Sequence, residues 1–441
     1  MKTILFFIIT CFFVLSCHKE MAPTPTPPTK PPCERLWIGT QLCDTSPLYK
    51  NLIWYSYLSD RDTTRVFSIT PRVFGDKVIF STQFDKYDND TDILYIRDKY
   101  TGTLLKRRKS DCYNANLATS YKNTDFYQNN FVIKAGSKVE VFDMTTYQTK
   151  YCFAPEPDHA FNPGFSQIGN AIYLAEYKKG FANYDTLILV RFNLDTGEKT
   201  ILSKKAKKDG YRPDLSTPFA FDTKPNGDTV LFFTSVEINF DILGSQKTTL
   251  IKYNLKERRI EQETENLINL PNEVGGEGYG KIFGTKCIVA TGSKVMAFDI
   301  NTLTKLWEFK RDIVDGVINA VIHFENTIIF KTDFNSLYAL DVNTGLLKWK
   351  RTDVDANIDQ FCEVDGIVYF NSNKMYAIRA RDGVLLGRWS NPAPWINEDW
   401  IYANSGFDFN WFMGVIVDPV TKNIYTSDGT RAYCFKNPLY P

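Results

Sequence analysis

The sequence predicts an all-β fold: an eight-bladed β-propeller of four-stranded antiparallel blades, closed by an N-terminal strand, with seven blades as the alternative. Three observations predict it. One unit recurs eight times, aligned on Asp98, Asp143, Asn193, Asn254, Asp299, Asp341, Arg379 and Lys436, and six of those eight positions are Asp or Asn. The intervals run from 38 residues, between Asp341 and Arg379, to 61, between Asn193 and Asn254, which is room for four short strands and their turns. Within the units apolar residues alternate with period two, which disfavours long helices.

The clearest copies read Leu337-Tyr-Ala-Leu-Asp341-Val-Asn-Thr-Gly345-Leu-Leu-Lys-Trp349 and Val295-Met-Ala-Phe-Asp299-Ile-Asn-Thr302-Leu-Thr-Lys-Leu-Trp307. Each is a hairpin. An alternating strand ends at the Asp, whose short side chain reaches backbone amides two residues on and starts the turn. Gly345 takes the positive φ that closes it, as do Gly102, Gly197 and Gly383, and the next strand leaves with an aromatic, Trp349 or Trp307. Small residues at Ala297, Ala339, Ala377 and Cys434 leave room where sheets press face to face.

Along the chain, Met1 and Lys2 precede an apolar run from Thr3 to Ser16, too short for a membrane span and suited to a signal peptide over residues 1–16. The run ends Val14-Leu15-Ser16-Cys17, which resembles the lipobox of bacterial lipoproteins and implies that Cys17 is acylated as the mature N-terminus. Residues 17–49 then form a tether, Pro-rich from Met21 to Pro32, and residues 50–441 the propeller. Of nine cysteines seven remain once Cys11 is cleaved off and Cys17 lipidated; Cys33 and Cys43 are close enough in sequence to bridge, and the odd count leaves at least one without an intramolecular partner.

In most blades the turn between the second and third strands is tight, as in Thr291-Gly-Ser-Lys294. Blades 1, 3 and 4 instead insert Gln83 to Asp92, Glu176 to Asp185 and Ser235 to Gln246, carrying Phe84, Tyr87, Tyr177, Phe181, Tyr184 and Phe240. Equivalent loops emerge on one face, so these aromatics are the candidate binding residues. The last unit, Asn423 to Phe435, leaves no residues for a fourth strand, while Asn51 to Tyr57 precedes the first blade and carries Trp54 where Trp307 and Trp349 stand in theirs. That segment is expected to close the ring beside Arg431 to Phe435, with Leu36-Trp37 as the fallback.

The pattern Leu-Tyr-Ala-Leu-Asp-x-x-Thr-Gly-x-x-x-Trp resembles the repeat of PQQ-like, or quinoprotein alcohol dehydrogenase-like, propellers, most sharply over residues 281–390. Among lipoproteins the architecture is similar to the eight-bladed outer-membrane protein assembly factor, which implies a scaffold. No Trp-Asp dipeptide occurs, against a WD40 repeat, and no adjacent cysteine pair of the kind quinoprotein dehydrogenases carry.

The balance of 52 Lys+Arg against 51 Asp+Glu, with 15% aromatics, excludes disorder and argues against nucleic acid as the main partner. Gly275-Gly-Glu-Gly-Tyr-Gly280-Lys281 has P-loop glycines but Ile282 where a Ser or Thr would hold magnesium, and it reads as an inter-blade connection. Asp88-Asn-Asp90-Thr-Asp92 lacks the glycine and the bidentate Glu of a calcium loop and reads as a solvated acidic turn. Asp158-His159 has no GxSxG nucleophile beside it, and Trp395 to Trp411 reads as inter-blade filling rather than a sugar platform. No cofactor, metal or catalytic residue is expected.

The expected function is therefore a non-catalytic envelope lipoprotein of the outer membrane, on its periplasmic or cell-surface side, that binds other envelope proteins. A glycan-binding or glycan-active surface protein is the alternative, and a quinone-dependent dehydrogenase the weaker one. Replacing Cys17→Ser should move the protein from the membrane pellet to the soluble envelope fraction and abolish labelling by a fatty-acid analogue. A variant that pellets with wild-type detergent dependence would remove the lipid anchor.

Overall fold

The computed structural model describes residues 48–58, 67–68, 70–83, 93–112, 124–135, 138–161, 165–178, 186–206, 208, 212–215, 220–239, 245–267, 279–291, 294–311, 318–332, 336–354, 361–371, 374–389, 414–427 and 431–440. They form eight antiparallel sheets, one per predicted blade, which settles eight over seven. Blade 6, with strands Ile318–Phe324, Thr327–Thr332, Leu337–Asp341 and Leu347–Arg351, shows the common pattern.

Alternation sets the packing. In blade 6, Ile328, Phe330, Tyr338 and Leu340 point to blade 5 and pack with Ile288, Val295 and Ala297, while Ile329, Leu337 and Ala339 point to blade 7 and pack with Val368, Phe370 and Tyr376. The second and third strands are thus buried on both faces, and the buried apolar residues fall into eight clusters, one at each joint between neighbouring blades. Ala297, Ala339, Ala377 and Cys434 are all fully buried where the sequence placed small residues.

The predicted turn is built as its residues dictate. Asp341 Oδ1 accepts the amides of Asn343 and Thr344 at 2.9 and 3.0 Å, Gly345 N donates to Asp341 O at 2.8 Å, and Asp341 N donates to Leu346 O at 2.9 Å. Asp98, Asp143, Asn193, Asn254 and Asp299 make the same pair of side-chain bonds.

The aromatic of one blade docks on the turn of the next. A β-carbon at Gly345 would lie 2.6 Å from the Trp307 ring, one at Gly383 2.7 Å from Trp349, one at Gly197 2.6 Å from Tyr151 and one at Gly102 2.6 Å from Trp54. The polar end of each aromatic bonds a turn carbonyl: Trp307 Nε1 to Val342 O at 3.1 Å, Trp349 Nε1 to Ala380 O at 3.0 Å, Tyr151 OH to Asp195 O at 2.5 Å and Trp54 Nε1 to Lys99 O at 3.0 Å. Where the turn instead places Tyr147, Arg258 or Leu303 at positive φ, the matching residue of the preceding blade is Lys106, Ile201 or Gln262, none of them aromatic.

Those joints use other chemistry. Between blades 1 and 2, Cys112 is disulfide-bonded to Cys152, and Arg108, stacked 4.3 Å from the Phe142 ring, pairs with the fully buried Glu140 at 2.6 Å. Cys33 and Cys43 lie outside the described residues. Between blades 3 and 4, Lys205 meets Glu237 at 2.7 Å, and between blades 4 and 5 Lys252 Nζ donates to Asn301 O at 3.3 Å.

The ring closes as expected. Leu52–Tyr57 is the fourth strand of blade 8, antiparallel to Arg431–Phe435, with Trp54 opposite Cys434 and Tyr57 opposite Arg431. Lys436 N donates to Asn51 O at 2.7 Å, the bond that Asp341 N makes to Leu346 O within blade 6, so the eighth turn is the same hydrogen bond formed between two distant stretches of chain. The unit aligned on Lys436 therefore has no Asp turn of its own. One occurs instead between the first two strands of blade 8, where Asp418 Oδ1 accepts Val420 N at 3.0 Å and Asp418 N donates to Asn423 O at 2.9 Å. Asp418 also forms a buried ion pair with Lys99 of blade 1 at 2.7 Å.

Burial alone would raise the Asp418 carboxyl, but bonds from Lys99, Val420 N and Thr421 more than offset it and hold the group below its ordinary value. A depressed folded value stabilises above the unfolded carboxyl value of about 3.9 and is lost as pH falls through the folded value. Asp418→Asn should therefore cost about 3–5 kcal/mol near pH 7, and its melting-temperature gap to wild type should shrink below about pH 4. Trp54→Ala should cost about 3–5 kcal/mol, whereas Ile53→Ala, on the same strand but 44% exposed, should stay within about 0.5 kcal/mol. Equal losses for Trp54 and Ile53 in denaturant titrations would contradict the closure.

Candidate functional site

Strand alternation separates two faces. Turns between first and second and between third and fourth strands lie on one, with the Asp turns; turns between second and third strands lie on the other. On this second face blades 1, 3 and 4 differ from the rest, because only these three are five-stranded among the described residues. Their first strand is divided, and its earlier piece pairs with the extension of the second: Phe67–Ser68 against Thr82 and Gln83, His159–Phe161 against Glu176 to Lys178, and Arg212–Leu215 against Ser235 to Ile238.

The inserted sequences are thus partly sheet. In blade 3 the hairpin strands are Ala171–Lys178 and Thr186–Asn193, and in blade 4 Thr229–Asn239 and Ser245–Asn254, against Ile367–Asn371 and Met375–Arg379 in blade 7. Tyr177, expected on a loop, lies on a strand between Ala160 and Leu187, half-buried against the joint of blades 3 and 4. Phe84, Tyr87, Phe181, Tyr184 and Phe240 lie outside the described residues, as does Trp395 to Trp411. The structure therefore brings together the strand ends that carry these sequences in blades 3 and 4.

Charged groups brace the raised hairpins. Lys205 Nζ, on the fourth strand of blade 3, donates to Ser235 Oγ at 2.8 Å and pairs with Glu237 on the extension of blade 4. His159 Nδ1 lies 2.7 Å from Oε1 of the fully buried Glu176, which also accepts Glu156 N at 3.0 Å. The partner that orients His159 is Glu176 and not Asp158, which is exposed with φ of 63°. The sequence hid this contact because the two residues meet only through strand pairing across blade 3.

These groups are structural ties: Lys205 joins blade 3 to the extension of blade 4, and His159 with Glu176 joins the first and second strands of blade 3. Burial pushes the thiols of Cys362 up to about 11, of Cys434 to about 12 and of Cys287 higher still, which removes thiolate at neutral pH. Lys281 lies within strand Tyr279–Phe283, opposite Ile288, so the glycine-rich stretch enters a strand rather than a phosphate-binding helix. Among the described residues no group of three or more His, Cys, Asp or Glu side chains is placed to hold a metal ion.

No protein-family model matches the chain, and no curated protein matches it. Solved structures do. BamB from Moraxella catarrhalis is 11% identical with a TM-score of 0.53, over 88% of this chain and 99% of that one. Sqt1 from Chaetomium thermophilum, bound to the N-terminus of the ribosomal protein L10, is 12% identical with a TM-score of 0.57, over 86% and 98%. The computationally designed Ika8 protein is 12% identical with a TM-score of 0.54, over 84% and 96%. At such identity the likeness is one of fold.

Proposed function

We propose that this chain is an envelope lipoprotein, anchored to the outer membrane through Cys17, whose propeller binds other proteins without catalysing a reaction. The observation that carries the reading is the raised pair of hairpins in adjacent blades 3 and 4, tied by Lys205 to Ser235 and Glu237. Loop tips held on a braced scaffold are where recognition residues concentrate, and aromatic side chains are the usual anchors. The sequence joining these strand ends carries Phe181 and Tyr184 in blade 3 and Phe240 in blade 4, with Tyr177 at the base. Phe84 and Tyr87 of blade 1 extend the proposed surface on the same face. That Sqt1, of similar fold, was solved with a peptide of another protein bound supports a protein ligand for this architecture.

Crosslinking in intact envelopes should recover protein partners whose yield falls about tenfold when Phe181, Tyr184 and Phe240 are all changed to Ala, a loss typical of one or more interface anchors. Thr344→Ala, on the opposite face, should leave the yield unchanged. Recovery of no protein, together with specific retention on a glycan array, would replace this reading with the glycan-binding one.

A further inference from the structure

Each blade ends in an outermost strand whose outer side pairs with no other strand among the described residues. Such an edge offers backbone N–H and C=O groups to any extended chain, and proteins guard it with charge, lysine above all. Seven of the eight outer strands are guarded in this way. Each carries at least one exposed Lys or Arg, from Lys106 in Leu104–Lys109 of blade 1 to Arg388 in Leu385–Trp389 of blade 7. The eighth is the closing strand Leu52–Tyr57, which reads Leu-Ile-Trp-Tyr-Ser-Tyr and holds no charged residue.

A register shift interrupts the pairing of all eight outer strands with their third strands, so this local bend does not set blade 8 apart. Composition does. Trp54 is buried against blade 1, but Ile53 and Tyr55 are 44% and 42% exposed, and the Tyr55 and Tyr57 rings lie 6.4 Å apart along the strand. Lys50 stands outside the strand, in the turn Tyr49–Asn51. At the other end Arg97 Nη2 donates to Tyr57 O at 2.9 Å, so the edge in question runs from Ile53 to Ser56.

An uncharged edge narrows the choice of occupant. A foreign strand can match a charged edge by supplying the opposite charge, whereas two copies of one strand set like charges against each other, so self-pairing requires a neutral strand. Antiparallel pairing about a two-fold axis at Tyr55 puts this ring beside its own copy, and aromatic pairs are among the favourable cross-strand neighbours.

We infer that Leu52–Tyr57 is a self-association edge, at which two copies of this chain join their eighth blades into one continuous antiparallel sheet. The contact lies on the circumference of the ring, across from blade 4, and leaves the raised hairpins uncovered in both copies. It needs neither the lipid nor a bound partner.

Sedimentation equilibrium of chain 17–441 carrying Cys17→Ser, which removes the lipid, should show a reversible dimer. Tyr55→Lys sets two lysines together at the axis and should raise the dissociation constant about tenfold or more with an unchanged circular dichroism spectrum, while Tyr55→Phe should stay within about twofold. Leu347→Lys, on the outer strand of blade 6, should leave the constant unchanged. A chain that is monomeric at every concentration, or a dimer that Tyr55→Lys and Ile53→Lys both leave intact, overturns the assignment. With p-benzoylphenylalanine in place of Ile53, irradiation of intact envelopes should give an adduct of twice the chain mass. An adduct formed only with a different protein rejects a second copy as the occupant.

Discussion

An aromatic side chain lying flat on a backbone that has no β-carbon is the contact on which the ring depends. Eight residues after the Asp position, blades 2, 5 and 6 carry Tyr151, Trp307 and Trp349, and each covers the glycine turn of the following blade. Trp54 does the same for blade 1 from the far end of the chain. Glycine is needed twice over: its φ is positive, and any side chain would occupy the aromatic's place. The rule holds in reverse, since Tyr147, Arg258 and Leu303 turns face Lys106, Ile201 and Gln262. Where the contact is missing, the Cys112–Cys152 disulfide, the Arg108–Glu140 pair or the Lys205–Glu237 pair spans the joint. The blade 7 to blade 8 joint has Gly387 at the aromatic position, and there the following turn is not one piece of chain but the bond between Lys436 and Asn51.

Closure by the N-terminal strand also sorts the molecule's two faces. Because that strand takes the fourth place in blade 8, it must begin where the Asp turns are and end where the second and third strands connect. The chain therefore arrives on one face, while the extensions of blades 1, 3 and 4 rise on the other. Under the proposed function, this separation would keep one surface near the Cys17 anchor and leave the other open to partners. The buried Lys99–Asp418 pair and the Trp54 site both lie at the closing joint, so the same joint that completes the fold fixes which face is which.

Much of this was legible in residues because the signals are local. Asp341 to Gly345 dictates its own turn, the alternation of Leu337 to Leu340 dictates a strand, and Trp54 matched Trp307 and Trp349 by position alone. The extra length in blades 1, 3 and 4 was also visible. That it would become strand was not, since the pairing of Arg212–Leu215 with Ser235 to Ile238, or of His159 with Lys178, is set by neighbours distant in sequence. For the same reason Glu176 could not be matched to His159, nor Cys112 to Cys152, from spacing. The Asp418 turn escaped because it sits between the first and second strands, out of phase with the repeat.

The docked aromatic, and not the turn alone, makes these glycines indispensable. A double-mutant cycle at the joint of blades 5 and 6 measures it. In the presence of Trp307, Gly345→Ala should cost about 3 kcal/mol, because the new methyl group meets the indole as well as an unfavourable φ. In a Trp307→Ala background the same change should cost only the conformational penalty of about 1–2 kcal/mol, leaving a coupling of about 1 kcal/mol or more. Equal costs in the two backgrounds, measured by denaturant unfolding, would mean that the turn geometry alone demands glycine and that the aromatic contact does not lock the ring.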